Sequence, residues 1–140
     1  MGSYTHINDA AHKLHDRFLP GPLSIIATTQ DSAFPENVAP RRSNIGLRLP
    51  NHAFCISITQ TLDKPITSTS ANVTGQPAGH TFEEVLAGLS EHHHLIDLAI
   101  DAGDAIRSLP STIVDLSGDT PIIVREGAIP AQDILDILDL

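Results

Sequence analysis

One cysteine, Cys55, is all the thiol this chain has. A lone cysteine excludes an internal disulfide framework and a cysteine-based zinc cluster. Its setting, Ala53-Phe54-Cys55-Ile56, reads as a buried structural thiol rather than a nucleophile. Long apolar runs are missing too: none reaches the roughly 18 residues that a membrane-spanning helix needs. The start, Met1-Gly2-Ser3-Tyr4, lacks the basic-then-apolar pattern of a secretory signal. Residue six is His6, not the hydroxyl residue of a myristoylation pattern. These absences read as a cytoplasmic protein with no membrane partner. Basic charge is scarce, with 8 Lys and Arg against 17 Asp and Glu, a net charge of −9. That argues against gripping nucleic acid through a broad basic face, while leaving room for a local basic pocket. Three common signatures are absent as well: the G-x-x-x-x-G-K-[ST] phosphate loop, the G-x-G-x-x-G dinucleotide fingerprint and the G-x-S-x-G nucleophile elbow.

What remains is a chain of 140 residues, 41% hydrophobic, with mean hydropathy +0.01. This predicts one domain, residues 1–140, large enough for a real core. Ile7, Ala11, Leu14 and Phe18 recur at helical spacing, with Asn8 or Asp9 as the cap and Pro20-Gly21-Pro22 as the stop. Leu23–Thr29 reads as a strand. Gln30–Asn44 reads as a long polar loop containing Pro35, Pro40 and Arg41-Arg42. Ile45–Leu49 is predicted as a strand, and Asn51–Leu62 as a short helix capped by Asn51. Lys64–Thr69 is predicted as another strand. Thr81 with Glu84 forms a capping box that opens a helix to about Leu89. Leu95–Ala102 reads as a strand. So do Thr112–Leu116 and Ile122–Val124, separated by the turn Ser117-Gly118-Asp119-Thr120. Pro130 opens a final helix at its N1 position. Strands interleave with helices, so the class is α/β or α+β.

The densest chemistry lies in Pro65–Gly75, where Thr67, Ser68, Thr69, Ser70 and Thr74 surround the carboxamide of Asn72. Hydroxyls and amides both donate and accept hydrogen bonds, which suits an oxygen-rich ligand such as a phosphate or carboxylate. The same residue types also make an ordinary polar turn. Arg48 and Arg125 each end a predicted strand. A guanidinium fork there can clamp a phosphate, or it can sit in a surface ion pair. His92-His93-His94 lack the spacing that would put metal ligands on one helix face. His12 and His15 have that spacing but no convergent acid or cysteine, so no structural metal is expected.

Five segments, in order, resemble those of the YrdC-like family, the threonylcarbamoyl-adenylate synthases. Phe18-Leu19-Pro20-Gly21-Pro22-Leu23-Ser24 resembles its WPGPLT segment. Gly46-Leu47-Arg48-Leu49-Pro50-Asn51-His52 resembles VAVRxPxH. Thr69-Ser70-Ala71-Asn72-Val73-Thr74-Gly75 resembles TSANxSG, with its Ser-x-Asn motif. Ser111-Thr112-Ile113-Val114-Asp115 matches STIVD, and Val124-Arg125-Glu126-Gly127-Ala128 resembles LREGA. The resemblance runs from about Phe18 to Ile129.

The resemblance implies a twisted mixed sheet with flanking helices and a concave polar surface. It implies synthesis of threonylcarbamoyl-AMP from ATP, L-threonine and bicarbonate, with release of pyrophosphate. That product feeds modification of an adenosine in tRNAs that read codons beginning with A. By resemblance, Ser70 and Asn72 hold the nucleotide and its phosphates, Ser111 lines the same pocket, Arg125 contacts phosphate, and Arg48 joins them. Mg2+ is expected with ATP, bridging its phosphates. No residue need act as a covalent nucleophile, because positioning and charge neutralisation carry phosphoryl-transfer chemistry of this kind. Hydrogenase-maturation proteins with related carbamoyl-adenylate chemistry are an enzyme alternative, but their acylphosphatase and zinc-finger regions are absent. The family's PTETVYGLG-like stretch and Lys-x-Arg motif are not found here, so the domain is expected to be incomplete at its N-terminus. Two expectations follow: another chain supplies that segment, or the exposed strand edge drives self-association. The alternative function is a non-catalytic module of the same fold that binds ATP or RNA, with tRNA or double-stranded RNA as the partner.

Overall fold

Alternation of apolar and polar side chains along Leu23–Thr28 places Leu23, Ile25 and Ala27 on one buried face, with Ser24, Ile26 and Thr28 on the other. This strand, β1, organises the sheet. The computed structural model describes residues 4–30, 34–39, 43–104 and 109–140. The pair Arg41-Arg42 lies outside the described residues. The element order is α1 (Asp9–Phe18), β1 (Leu23–Thr28), β2 (Asn44–Arg48), α2 (Ala53–Leu62), α3 (Phe82–Gly88), a 3-10 turn (Ser90–Leu95), β3 (Thr112–Asp115), β4 (Ile122–Arg125) and α4 (Ala131–Leu138). The strands form a mixed four-stranded sheet in the order β2-β1-β3-β4. β1 runs parallel to β3, whereas β1–β2 and β3–β4 are antiparallel. No helix among the described residues is long and apolar enough to cross a membrane.

Contacts divide the chain into two units, Met1–Lys64 with Leu109–Leu140, and Pro65–Ser108. The first unit holds the sheet and its core. Leu14, Leu23, Ile25, Val114 and Ile134 are wholly buried in one cluster with Ala11, Leu116 and Ile129. Each such aliphatic side chain contributes about 1.5–3 kcal/mol relative to exposure. α1 and α4 therefore pack on the face that carries Leu23, Ile25 and Val114, leaving a polar face opposite. Asn8 caps α1, its Oδ1 accepting from the Ala11 amide at 2.9 Å. Its Nδ2 also donates to the Leu116 carbonyl at 3.4 Å, which ties the helix start to the end of β3.

The second unit contains α3 and the 3-10 turn. Thr81 Oγ1 accepts from the Glu84 amide at 3.1 Å, and the Glu84 carboxylate accepts from the His80 amide at 2.8 Å. The reciprocal bond thus reaches one residue ahead of the N-cap.

Some predicted elements differ in the structure. α2 starts at Ala53 with His52 as its N-cap, so Asn51 is not the cap. A tight Pro50-Asn51-His52 turn, closed by the His52 amide on the Pro50 carbonyl at 2.9 Å, holds Asn51 outside the helix. Pro130 stands at the N-cap of α4 rather than at N1. Lys64–Thr69 and Leu95–Ala102 are not strands. β-propensity expresses fit to neighbouring strands, and among the described residues neither segment has one.

Candidate functional site

Strand register gathers the first group of site residues. Ser24 on β1 lies opposite Arg48 on β2 and opposite Ile113 on β3, and Ile113 lies opposite Arg125 on β4. Directly paired residues share a face. Arg48, Ser24 and Arg125 therefore form one row across the polar face of the sheet. Ser111, two residues before Ile113, has the same parity. All four stand at one end, where β1 and β3 begin and β2 and β4 finish.

Hydrogen bonds join this group. Ser24 Oγ and Ser111 Oγ lie 3.0 Å apart. Arg125 donates from Nε at 3.1 Å and from Nη2 at 2.7 Å to the Ser111 carbonyl, and Nη2 lies 3.3 Å from Ser111 Oγ. Ser111 is buried, at 7% exposure, so its carbonyl is a firm anchor for the guanidinium plane. A guanidinium has five N–H donors, and the Nη1 edge has no protein partner among the described residues. Neither Arg48 nor Arg125 forms an ion pair with a described carboxylate; the ion pairs seen are Lys13–Asp139 and His15–Asp16. The surface ion-pair reading of these arginines is thereby set aside among the described residues. What remains is a fixed donor edge on Arg125 and an unpaired cation at Arg48, in the same row.

Thr112 holds the scaffold behind this end. Its wholly buried Oγ1 donates to the Ile129 carbonyl at 2.7 Å and accepts from the Gly127 and Ile129 amides, each at 3.0 Å. The chain after Arg125 is thus pinned to the start of β3. A Cβ on Gly127 would fall 2.1 Å from the Pro110 oxygen and 2.7 Å from the Ser111 carbonyl carbon, so only glycine fits this approach.

Ser70 and Asn72 lie in the second unit, in a turn. The Asn72 amide donates to the Ser70 carbonyl at 3.0 Å. Asn72 Nδ2 donates to the carbonyls of Val73 at 3.0 Å and Gln76 at 2.6 Å. Gly75 completes the turn with φ +83°, in the left-handed region that favours glycine. Two carbonyls consume the amide donors of Asn72, which fixes its orientation. Its Oδ1 is shielded from solvent and has no partner. Such an oxygen can accept from a ligand hydroxyl or amine, and it cannot bind an unprotonated phosphate oxygen. Ser70 is exposed.

The structure therefore brings Arg48, Ser111 and Arg125 together, and Ser70 with Asn72. Ser24 and Thr112 were absent from the sequence-based candidates. Ser24 sits inside the Pro-Gly-Pro-Leu-Ser segment, but only the register shows it opposite Arg48. Thr112 reads from sequence as a plain β-branched strand residue. Among the described residues, no group of three or more His, Cys, Asp or Glu side chains converges on a common point. His93 Nε2 instead contacts the Leu86 carbonyl at 2.8 Å.

The family model that unites Sua5, YciO and YrdC, described as "Telomere recombination", matches residues 1–127. A putative threonylcarbamoyl-AMP synthase from Methanocaldococcus jannaschii is 37% identical over 129 residues, covering 92% of this chain and 58% of the relative. Pyrococcus abyssi Sua5, solved in complex with L-threonine, superposes with TM-score 0.81 at 26% identity, covering 95% of this chain and 38% of that one. Escherichia coli YciO superposes with TM-score 0.79 at 26% identity, covering 96% of this chain and 64% of that one. The chain thus spans little more than half the length of the M. jannaschii relative. With its mixed sheet, flanking helices and matched sequence, this chain belongs to the Sua5/YciO/YrdC family.

Proposed function

We propose that this chain serves the synthesis of threonylcarbamoyl-AMP from ATP, L-threonine and bicarbonate, in support of tRNA modification in the cytoplasm. The observation that carries the reading is the row Arg48–Ser24–Arg125 with Ser111, at one end of the sheet of a chain from this family. In the proposed reaction a carbamate oxygen attacks the α-phosphorus of ATP, and the bond to the β-phosphate bridging oxygen breaks as pyrophosphate leaves. Negative charge grows on the leaving group, and oriented donors stabilise it. Arg125 is suited to that role, because the Ser111 carbonyl holds its plane while the Nη1 edge stays available. Arg48 adds a second cation. The Ser24 and Ser111 hydroxyls offer short-range bonds to a carboxylate or phosphate. In the second unit, the Asn72 acceptor suits a hydroxyl or amino group, such as a ribose hydroxyl or the threonine amine.

Magnesium would arrive as its complex with ATP. The described residues provide no cage of three acidic ligands for it, so the fit is to an ion held by phosphates and water, and no step here depends on a protein-held metal.

A second reading is favoured by one observation: the chain spans 58% of the M. jannaschii relative. In that reading it binds ATP or RNA without turnover, and the site is completed by another polypeptide or by self-association. Pyrophosphate release from ATP, Mg2+, bicarbonate and L-threonine, with threonine omitted as the control, separates the two. Threonine-dependent release supports synthesis by this chain. ATP binding without release rejects that and leaves the binding module.

A further inference from the structure

The second unit has no core. None of its described residues, 65–104, is fully buried. Its best apolar surface is a groove of about 430 Å³, formed by the face of α3 that carries Phe82, Val85, Leu86 and Leu89, and by Ile96 and Ile100. Spacing of three and four residues puts those α3 side chains on one stripe, the arrangement of a helix that packs on a further layer. That layer is absent among the described residues. Beside the groove, Leu95, Leu98 and Ile100 are 70%, 76% and 52% exposed, and Ile66 is 49% exposed. The two segments that read as strands, Ile66–Thr69 and Asp97–Ala102, form no ladder, and their amides have no protein partner among the described residues. Apolar stripe, β-forming composition and free backbone donors occur together in one unit. That combination fits strand addition, in which backbone bonds supply affinity and alternate side chains fill the groove.

Charge decides the occupant. The described part of this unit carries Glu83, Glu84, Glu91, Asp97, Asp101 and Asp104, and no lysine or arginine. A second copy would bring the same carboxylates against themselves, and like charges facing across paired strands are unfavourable. The M. jannaschii relative has 42% of its length outside the match, since 58% is covered. We infer that the second unit is an acceptor for a strand of alternating apolar and basic residues from outside these 140 residues, the counterpart of the unmatched portion of the relatives. The strand pairs with Ile66–Thr69 or Asp97–Ala102 and covers the α3 groove.

The test is coexpression of the whole chain with the unmatched portion of the M. jannaschii relative, followed by amide hydrogen exchange. A soluble complex in which exchange at 66–69 or 97–102 slows at least tenfold, with the effect weakened by 1 M salt, is the expected result. Leu98→Asp, at a side chain exposed in the free chain, should abolish that protection while leaving exchange in β1 and β3 unchanged. Absence of a complex, or protection confined to other segments, overturns the inference. So does protection that appears in the chain alone as its concentration rises, which would identify a second copy as the occupant. The readout needs neither ATP nor turnover, so its failure is distinct from failure of the proposed synthesis.

Discussion

Replacing Thr112 by valine keeps the shape of the side chain and deletes one oxygen. That oxygen serves three backbone groups: the Ile129 carbonyl at 2.7 Å and the Gly127 and Ile129 amides at 3.0 Å. Both Ile129 groups are buried with it, whereas Gly127 is half-buried and can recruit water. An unsatisfied buried donor or acceptor costs about 1–3 kcal/mol. Counting the two Ile129 groups at the lower part of that range, Thr112→Val should destabilise the chain by about 2–4 kcal/mol. With a urea m-value near 2 kcal/mol per molar, the midpoint should fall by about 1–2 M at unchanged m. Thr112→Ser keeps the oxygen and loses a methyl group, so its cost should be nearer 1 kcal/mol. Equilibrium urea unfolding followed by circular dichroism measures both. The order of the two variants is the critical result. A serine variant less stable than the valine variant would show that packing, not the hydroxyl, holds residues 127–129 to β3. A valine cost below about 0.5 kcal/mol would refute the accounting entirely.

Arg125→Lys keeps a cation but loses the fork on the Ser111 carbonyl. If Nη1 meets a phosphate, ATP affinity by calorimetry should fall about 10–100-fold, the range of 1.5–3 kcal/mol for a bond to a charged group; unchanged affinity would remove Arg125 from the site. Gly127→Ala drives a methyl group onto Pro110 and Ser111 and should cost about 2–3 kcal/mol in the same urea assay, whereas a neutral result would mean that this approach relaxes easily. Asn72→Asp turns two donors into acceptors facing the Val73 and Gln76 carbonyls, so exchange of the Gln76 amide should quicken, and an unchanged rate would show that the side chain does not hold the turn. Lys13 holds the Asp139 carboxyl below its ordinary value of 3.8. Because the folded-state value is the lower one, the pair's contribution is present above the ordinary value and fades as pH falls through the lowered one. The stability gap between wild type and Lys13→Ala should be small near neutrality, since both side chains are exposed, and should vanish in strong acid. A gap that widened on acidification would contradict the assignment.

Legibility in the sequence followed how local each cause is. Asn8 as the cap of α1, the stop at Pro20-Gly21-Pro22 and the alternation along β1 depend on residues within a few positions, and all three appear in the structure. β3 and β4 were equally visible, because a turn-forming tetrad divides two β-branched runs. The predicted strands at Lys64–Thr69 and Leu95–Ala102 failed for the opposite reason. Their composition fits a sheet, but a strand needs a neighbour, and composition carries no information about whether one is present. The same logic explains the site. Arg48, Ser111 and Arg125 could be nominated from residue type and resemblance, yet Ser24 emerged only from the pairing of β1 with β2. Thr112 emerged only from the return of the chain at Gly127. Residues distant in sequence meet at the end of this sheet because parallel β1 and β3 begin where antiparallel β2 and β4 finish. A cluster of strand ends is a natural place for an anion site, since one strand from each direction can contribute a donor without disturbing the core beneath. On that argument the arginines can change chemistry at little cost to the fold, whereas Thr112 and Gly127, which touch no ligand in the proposed site, should be the positions where the fold itself gives way.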